Sequence, residues 1–349
     1  MNSINKNDTK QMELYPDVRD GLTSVQRRIL WTLRTFPQKE WNRFMKSARI
    51  VGSVMGRFYP YNDDCIYKAL VNMVQLAEKT PLVYGQGNFG SQTDRNSYAA
   101  MRFTEVMLSP WGKSMFNRIE NGAVELFDNY DGCFKEPHYL PSMFPNLLVN
   151  GFGGESVCIP PHDFLDVIAC VRDYCNGASQ SNHPLLDESR TFPIWTGEKV
   201  EKLSFAQMLG TWVEHRVDCL ERSFARDVKE TKEKLHWLDA KKMFLKDLPA
   251  NLERRHRFKS MQEFGASMGF DEVQNRYFEK MTIRDIATSD IEQEISLAES
   301  ELAGLQKTLN SREALLGIIL EQLESLANPP KTRKKLKSEQ KRCFLHGFF

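Results

Sequence analysis

Apolar and polar positions divide the chain into stretches of different texture. Over residues 13–135 apolar residues recur in short helical patterns, broken by loops rich in Pro, Gly, Asn and Asp. Residues 136–203 are richer in Pro and Gly, and apolar runs such as Leu147-Leu148-Val149 predict loops and short strands there. At Ser204 a run begins that reaches Leu245 with no Pro and a single Gly, Gly210. Ser204 followed by Gln207 fits a capping box, so a helix is predicted from this point. About forty helical residues span roughly 60 Å at 1.5 Å each, a length that suits a coiled coil or a projecting arm. Residues 247–288 lack a clear period and predict a small globule. From Ile291 the apolar positions Ile291, Ile295, Ala298, Leu302, Leu305 and Leu309 are spaced 4, 3, 4, 3, 4, a heptad seam that ordinary helix packing also produces. A further helix carries Leu316, Ile319, Leu323 and Leu326 and stops at Pro329-Pro330. The expected organisation is a flexible 1–12, a domain over 13–135, a loop-rich 136–203, an outgoing helix 204–246, a tip 247–288, returning helices 289–327 and a tail 328–349. One helix out, a globule and helices back make an antiparallel arm.

Charge changes this picture little. Lys and Arg number 47 against 46 Asp and Glu, a net charge of +1, so any nucleic-acid site must come from local clustering. The tail from Lys331 to Arg342 holds seven Lys/Arg and one Glu, either a solvated tail or a phosphate contact. Seven cysteines (Cys65, Cys133, Cys158, Cys170, Cys175, Cys219, Cys343) form no CxxC pair, which suits a reducing compartment. The polar N-terminus offers no signal peptide or membrane span. A soluble, cytoplasmic protein is expected.

Arg19, Arg27, Arg28, Lys46, Arg49 and Arg57 supply six cations within forty residues, and forked guanidinium groups suit phosphate. Gly85-Gln-Gly-Asn-Phe-Gly90 has the wrong spacing for a P-loop and lacks its Lys-Ser/Thr. It predicts a tight loop that lets backbone approach DNA or a neighbouring protomer. No Asp/Glu cluster with metal spacing stands out, so no metal is expected in this chain.

Residues 99–105, Ala-Ala-Met-Arg-Phe-Thr-Glu, resemble the active-site segment of the bacterial type IIA DNA topoisomerases, the gyrase A and topoisomerase IV A subunits. Further blocks match in order: Tyr15–Leu22 with Val25–Arg28, Lys46–Gly52, Pro81–Gly90, Pro145–Gly151, Ile159–His162, Glu214-His215-Arg216 and Arg312–Leu326. The resemblance implies a mainly α fold with small β parts: a winged-helix DNA-gate domain, a reduced tower region and a coiled-coil arm with a globular tip. It implies a protein that makes a transient double-strand break through a 5′-phosphotyrosine link, relaxing or decatenating DNA. Two copies, a homodimer, would pair with two B-type partners in a heterotetramer. Those partners would carry ATP and, on a Toprim domain, Mg2+. Arg102 would stabilise the attacked phosphate. Arg19, Arg27, Arg28, Lys46, Arg49, Arg57, Tyr59, Tyr61, Gln86 and Asn88 would meet DNA.

The sequence also departs from the family. The nucleophilic tyrosine is Phe103, and a phenyl ring has no oxygen to attack with. Tyr59 and Tyr61 stand where the family has histidines, and Asp64 and Lys68 where it has the quinolone-anchoring pair. Glu155 falls near the family's base-pair wedge, a poor substitute that leaves Phe152 as the alternative wedge. The shortened tower, and the lack of an N-terminal helix and a wrapping domain, resemble compact viral or plasmid-borne versions. Phe103 is either an engineered block or the mark of a natural pseudo-enzyme, a dimeric DNA clamp. Tyr98 or Tyr67 as replacement nucleophile is a third reading. A protein-binding scaffold acting through the 204–326 arm is a fourth. The 247–288 globule is where dimer contacts are expected, with Phe278 and Met281 as candidates.

Overall fold

The computed structural model describes residues 13–76, 80–91, 93–154, 156–177, 189–282 and 290–328. The first twelve residues, Glu155 and the basic tail, with the readings placed on them, lie outside that set.

Thr23 opens helix α1 (Ser24–Thr35) through a capping box: its hydroxyl accepts from the Gln26 N–H while Gln26 Oε1 accepts from the Thr23 N–H at 3.0 Å. Pro37 ends the helix, because the residue before a proline is driven to extended backbone, as Phe36 is. There follow β1 (Met45–Lys46), α2 (Ser47–Arg57), α3 (Asp63–Leu76), β2 (Val83–Gln86) and β3 (Glu105–Leu108). The strands form one antiparallel sheet in the order β1-β3-β2. α1 packs on α2 and α3, and α2 on α3. Ile29, Leu33, Ile50, Val54, Ile66, Leu70 and Val106 are fully buried between these elements. Each such side chain contributes about 1.5–3 kcal/mol of transfer free energy. Helix, strand, two helices and a β2–β3 pair joined by the long loop 87–104 make a winged helix with that loop as its wing.

Beyond the sheet come α4 (Pro110–Ser114), the β4–β5 hairpin (Leu126–Asp128 and Lys135–Pro137), α5 (Asn146–Asn150), the β6–β7 pair (Phe152–Gly153 and Cys158–Ile159), α6 (Phe164–Cys175) and the β8–β9 hairpin (Thr191–Trp195 and Val200–Ser204). α6 corrects the expectation of loops and short strands alone over 136–203. Asp163 caps its N-terminus, and Val167, Ile168, Cys170 and Val171 are its buried face.

α7 runs from Phe205 to Lys246, and Ser204 and Gln207 exchange the capping hydrogen bonds at its start. The chain forms two compact units, Glu221–Leu315 and the remainder. In the Glu221–Leu315 unit, short helices α8 (Leu248–Arg255), α9 (Met261–Ser267) and α10 (Glu272–Phe278) surround Ala240, Phe244, Phe264, Phe270 and Phe278. Phe278 is fully buried in this cluster and Met281 packs against it, so Phe278 holds the globule together rather than meeting a second copy. Lys241 and Lys242 of α7 pair with Glu294 at 3.0 Å and Glu292 at 2.7 Å on α11 (Ile291–Leu309). In α12 (Arg312–Ala327) the buried stripe is Leu315, Ile319, Leu323 and Leu326; Leu316, expected in it, is only half-buried. The fold is mainly α with small antiparallel sheets. No helix among the described residues is long and apolar enough to cross a membrane.

Candidate nucleic-acid interface

Hydrogen bonds fasten the wing to the start of α2. The first N–H groups of a helix have no partner within it. Here the Ser47 N–H donates to Thr104 O at 3.0 Å and the Ala48 N–H to Met101 O at 3.1 Å. Between those acceptors, the Phe103 N–H donates to Ala100 O at 2.9 Å and closes a turn. Thr104 is fully buried; its hydroxyl donates to Ser47 Oγ at 2.8 Å and lies 2.9 Å from the Tyr67 hydroxyl. Gly87 has φ +102°, and a Cβ there would lie 3.0 Å from Phe103 O. At Gly85 a Cβ would meet Val74 Cγ1 at 2.6 Å. These two glycines bring β2 and the start of the wing against this chain's own α3 and its Phe103–Thr104 backbone.

Phe103 stands on this support with 62% of its surface exposed. The Arg102 guanidinium carbon lies 4.8 Å from the centre of its ring, a cation–π contact worth about 0.5–1 kcal/mol at an exposed site. No described carboxylate pairs with Arg102. Tyr67, the reserve nucleophile, is buried and donates to Ala99 O at 2.6 Å, and burial raises its phenol above the usual value. That phenol is a strut of the wing. Tyr98 sits edge-on to it, ring centres 5.6 Å apart.

The expected phosphate contacts fall into distinct groups. Arg27 is a core residue. It is 5% exposed, its Nε donates to Asp20 Oδ2 at 2.6 Å, and its Nη2 donates to Asp20 Oδ1 at 3.0 Å and Leu22 O at 3.2 Å. Turning it to DNA would strand Asp20 as an uncompensated buried charge, so the expected backbone contact is corrected. Arg19 forks onto Asp17 at 2.9 and 2.7 Å and lies 4.0 Å over the Tyr139 ring. Arg28 forks onto Glu136 at 2.7 and 3.0 Å. Both are mostly covered and bound in two-point pairs. Lys46 and Arg49 are different. Lys46 pairs with Glu105 across β1–β3 at 2.8 Å, Arg49 pairs with Glu40 at 2.8 Å, and about half of each basic side chain is exposed. Exposed pairs are worth about 0–1 kcal/mol, so a phosphate displaces them at little cost. Arg57 has no carboxylate partner among the described residues and lies between the Phe36 and Phe134 rings, 5.9 and 5.2 Å from their centres.

The polar and wedge positions also separate. Tyr59 is 7% exposed and donates to Glu13 at 3.0 Å; burial and that carboxylate hold its phenol well above its ordinary value. Its donor is therefore engaged within the chain. Tyr61 is 71% exposed, edge-on to Tyr59. Gln86 is exposed at the end of β2, opposite Glu105. Asn88 is exposed but its side chain braces the wing, donating to Ser97 O and accepting from the Gly90 N–H, each at 2.8 Å. Phe152 is 8% exposed and paired opposite Ile159, so it is packing and not a free wedge. Asp64 and Lys68 are exposed on α3.

Sequence reasoning missed the buried frame behind these residues. Asp20 accepts from Arg27 and from the Leu140 N–H at 2.9 Å, tying the loop after Pro16 to the end of the β4–β5 segment. Arg216 is fully buried without a described carboxylate partner; it donates to Pro141 O at 3.1 Å, to Gln322 at 2.7 Å and to Asn117. Burial lowers it to about 10. Burial, helped by the Arg19 charge, lowers His215 to about 3, so its ring is neutral against Tyr139. The Glu214-His215-Arg216 block is thus largely internal. Among the described residues no cluster of three or more His, Cys, Asp or Glu could hold a metal ion, and none of the six described cysteines is in a disulfide.

The winged helix with its long wing, in a mainly α chain, is the class of fold found here, and sequence comparison gives its family. The family of DNA gyrase and topoisomerase IV A subunits matches residues 15–199, more than half of the chain. The DNA gyrase A subunit of Thermotoga maritima is 48% identical over 158 residues, 44% of this chain and 20% of that protein. That of Rickettsia typhi is 48% identical over 161 residues, 44% and 18%. That of Staphylococcus epidermidis is 47% identical over 158 residues, 44% and 18%. The match spans about a fifth of the length of these relatives. The chain belongs to the family of DNA gyrase and topoisomerase IV A subunits.

Proposed function

We propose that this chain is the DNA-gate subunit of a type IIA topoisomerase, written with its nucleophile position filled by Phe103. One observation carries the reading: the wing presents Arg102 and an exposed aromatic ring side by side on backbone fastened to α2. With tyrosine at 103, the phenol oxygen forms a bond to a DNA phosphorus while the P–O3′ bond breaks. The phenol proton passes to solvent and the 3′ oxygen leaves as a hydroxyl. Arg102 neutralises charge on the phosphoryl oxygens, and Lys46, Arg49, Arg57, Tyr61 and Gln86 hold the neighbouring backbone. Resealing reverses the step without net loss of the phosphodiester. Two copies of the chain supply the two cuts. A B-type partner supplies ATP hydrolysis and the Mg2+ that eases departure of the leaving oxygen.

A second reading is a natural, non-cleaving clamp that holds duplexes. It is favoured by Phe103 itself and by Tyr59, whose donor is spent on Glu13. Covalent trapping on a denaturing gel separates the two, using supercoiled DNA, Mg2+, a cognate B-type partner and either this chain or its Phe103→Tyr form. Attachment by the tyrosine form alone supports the gate. Duplex binding by both with attachment by neither supports the clamp.

A further inference from the structure

We propose that the loop joining α8 to α9 is a second contact for the phosphate backbone of duplex DNA, carried by the Glu221–Leu315 unit. The proposal rests on the reading that this chain binds duplex DNA, and it names a site apart from the wing.

Residues 254–259 read Arg-Arg-His-Arg-Phe-Lys. Their side chains divide into two sets. Arg255 and Phe258 turn inward. Arg255 donates to Phe258 O at 2.7 Å and to Met261 Sδ at 2.9 Å, and the Phe258 ring lies 5.5 Å from that of Phe264 in the core. Ser260 caps α9 directly afterwards by accepting from the Glu263 N–H at 3.1 Å. Arg254, His256, Arg257 and Lys259 are all exposed, and none forms an ion pair with a described residue. Glu263, the nearest acid on the following helix, accepts from the Lys259 backbone N–H at 3.1 Å and leaves the ammonium free.

Two commonplace explanations fall short. A generally basic surface would scatter cations everywhere, but this chain carries only +1 overall. The C-terminal dipole of α8 favours cations in its last turn, Arg254 and Arg255, but not Arg257 and Lys259 beyond it. Unpaired cations held on an ordered loop resemble the surfaces that release counter-ions on meeting a polyanion. Their spacing along a short loop suits consecutive phosphates and offers no base-specific reader.

The test is duplex binding by the full chain, followed by fluorescence anisotropy across a salt series. The triple variant Arg254→Gln, Arg257→Gln, Lys259→Gln is compared with the parent and with Lys46→Gln, Arg49→Gln. Each phosphate contact adds about 0.9 to the salt slope, so the triple variant should lower it by about 2–3 and weaken low-salt binding at least about tenfold. All three side chains are exposed, so its melting midpoint should match the parent. Parent-like slope and affinity in the triple variant, with the Lys46→Gln, Arg49→Gln variant weakened, overturns this site and leaves the gate reading intact. Absence of duplex binding by the parent overturns both.

Discussion

Arg102 covers one face of Phe103, its guanidinium carbon 4.8 Å from the ring centre, and has no carboxylate partner among the described residues. On the proposed function, a cation held beside residue 103 with no described acid as its partner is available for a developing phosphate charge. In the Phe103→Tyr background, Arg102→Gln should slow covalent attachment to DNA by about 10²–10³-fold, the usual cost of losing one preorganised donor. Duplex affinity should change little. Equal attachment rates with and without Arg102 would remove it from the chemistry.

Burial separates cations that look alike in sequence. Arg27→Met leaves Asp20 charged and buried, and should cost about 3–5 kcal/mol in urea unfolding. Lys46→Met, at an exposed pair, should cost less than about 1 kcal/mol. A reversed order would mean that the Arg27–Asp20 pair does not hold this loop.

His215 makes stability depend on pH. Burial lowers it to about 3 in the fold, against 6.5 when exposed, so the unfolded chain binds the extra proton between those values. The fold keeps its full stability above about pH 7 and loses it as pH falls below 6.5, by up to about 1.4 kcal/mol per unit. Between pH 7.5 and 5 the parent should lose about 2 kcal/mol more than His215→Gln. Parallel pH curves for the two proteins would show that the ring is not neutral in the fold.

Gly87 supports the Phe103 segment from behind. Alanine there must adopt φ +102° and place its Cβ 3.0 Å from Phe103 O. Gly87→Ala should cost about 1–3 kcal/mol. In the Phe103→Tyr background it should also lower attachment by displacing the nucleophile. Loss of stability with unchanged attachment would confine the strain to the β2 end of the wing.

Local signals were legible in the sequence where local chemistry decides structure. Ser204, Gln207 and the absence of proline gave the start and length of α7, and the ordered blocks gave the winged helix. Partnerships across the chain were not legible. Nothing in the run Arg27-Arg28 says that one guanidinium is sealed against Asp20 while the next forks onto Glu136, 108 residues away. Phe152 reads as a spare aromatic until its strand pairing buries it. Gly85 and Gly87 announce a close approach but not to what; within the chain, Gly85 faces the Val74 and Phe89 side chains and Gly87 the Phe103 backbone. α6 was missed because a twelve-residue helix among Pro and Gly has little room to display its period.

The bonds from Ser47 and Ala48 to the wing carry one more consequence. Those amides can exchange with solvent deuterium only when the wing lifts from α2, because Thr104 O and Met101 O are what shield them. Their exchange rates therefore time the undocking of residue 103 from α2. That opening can be timed in the phenylalanine form with neither DNA nor any chemistry at residue 103.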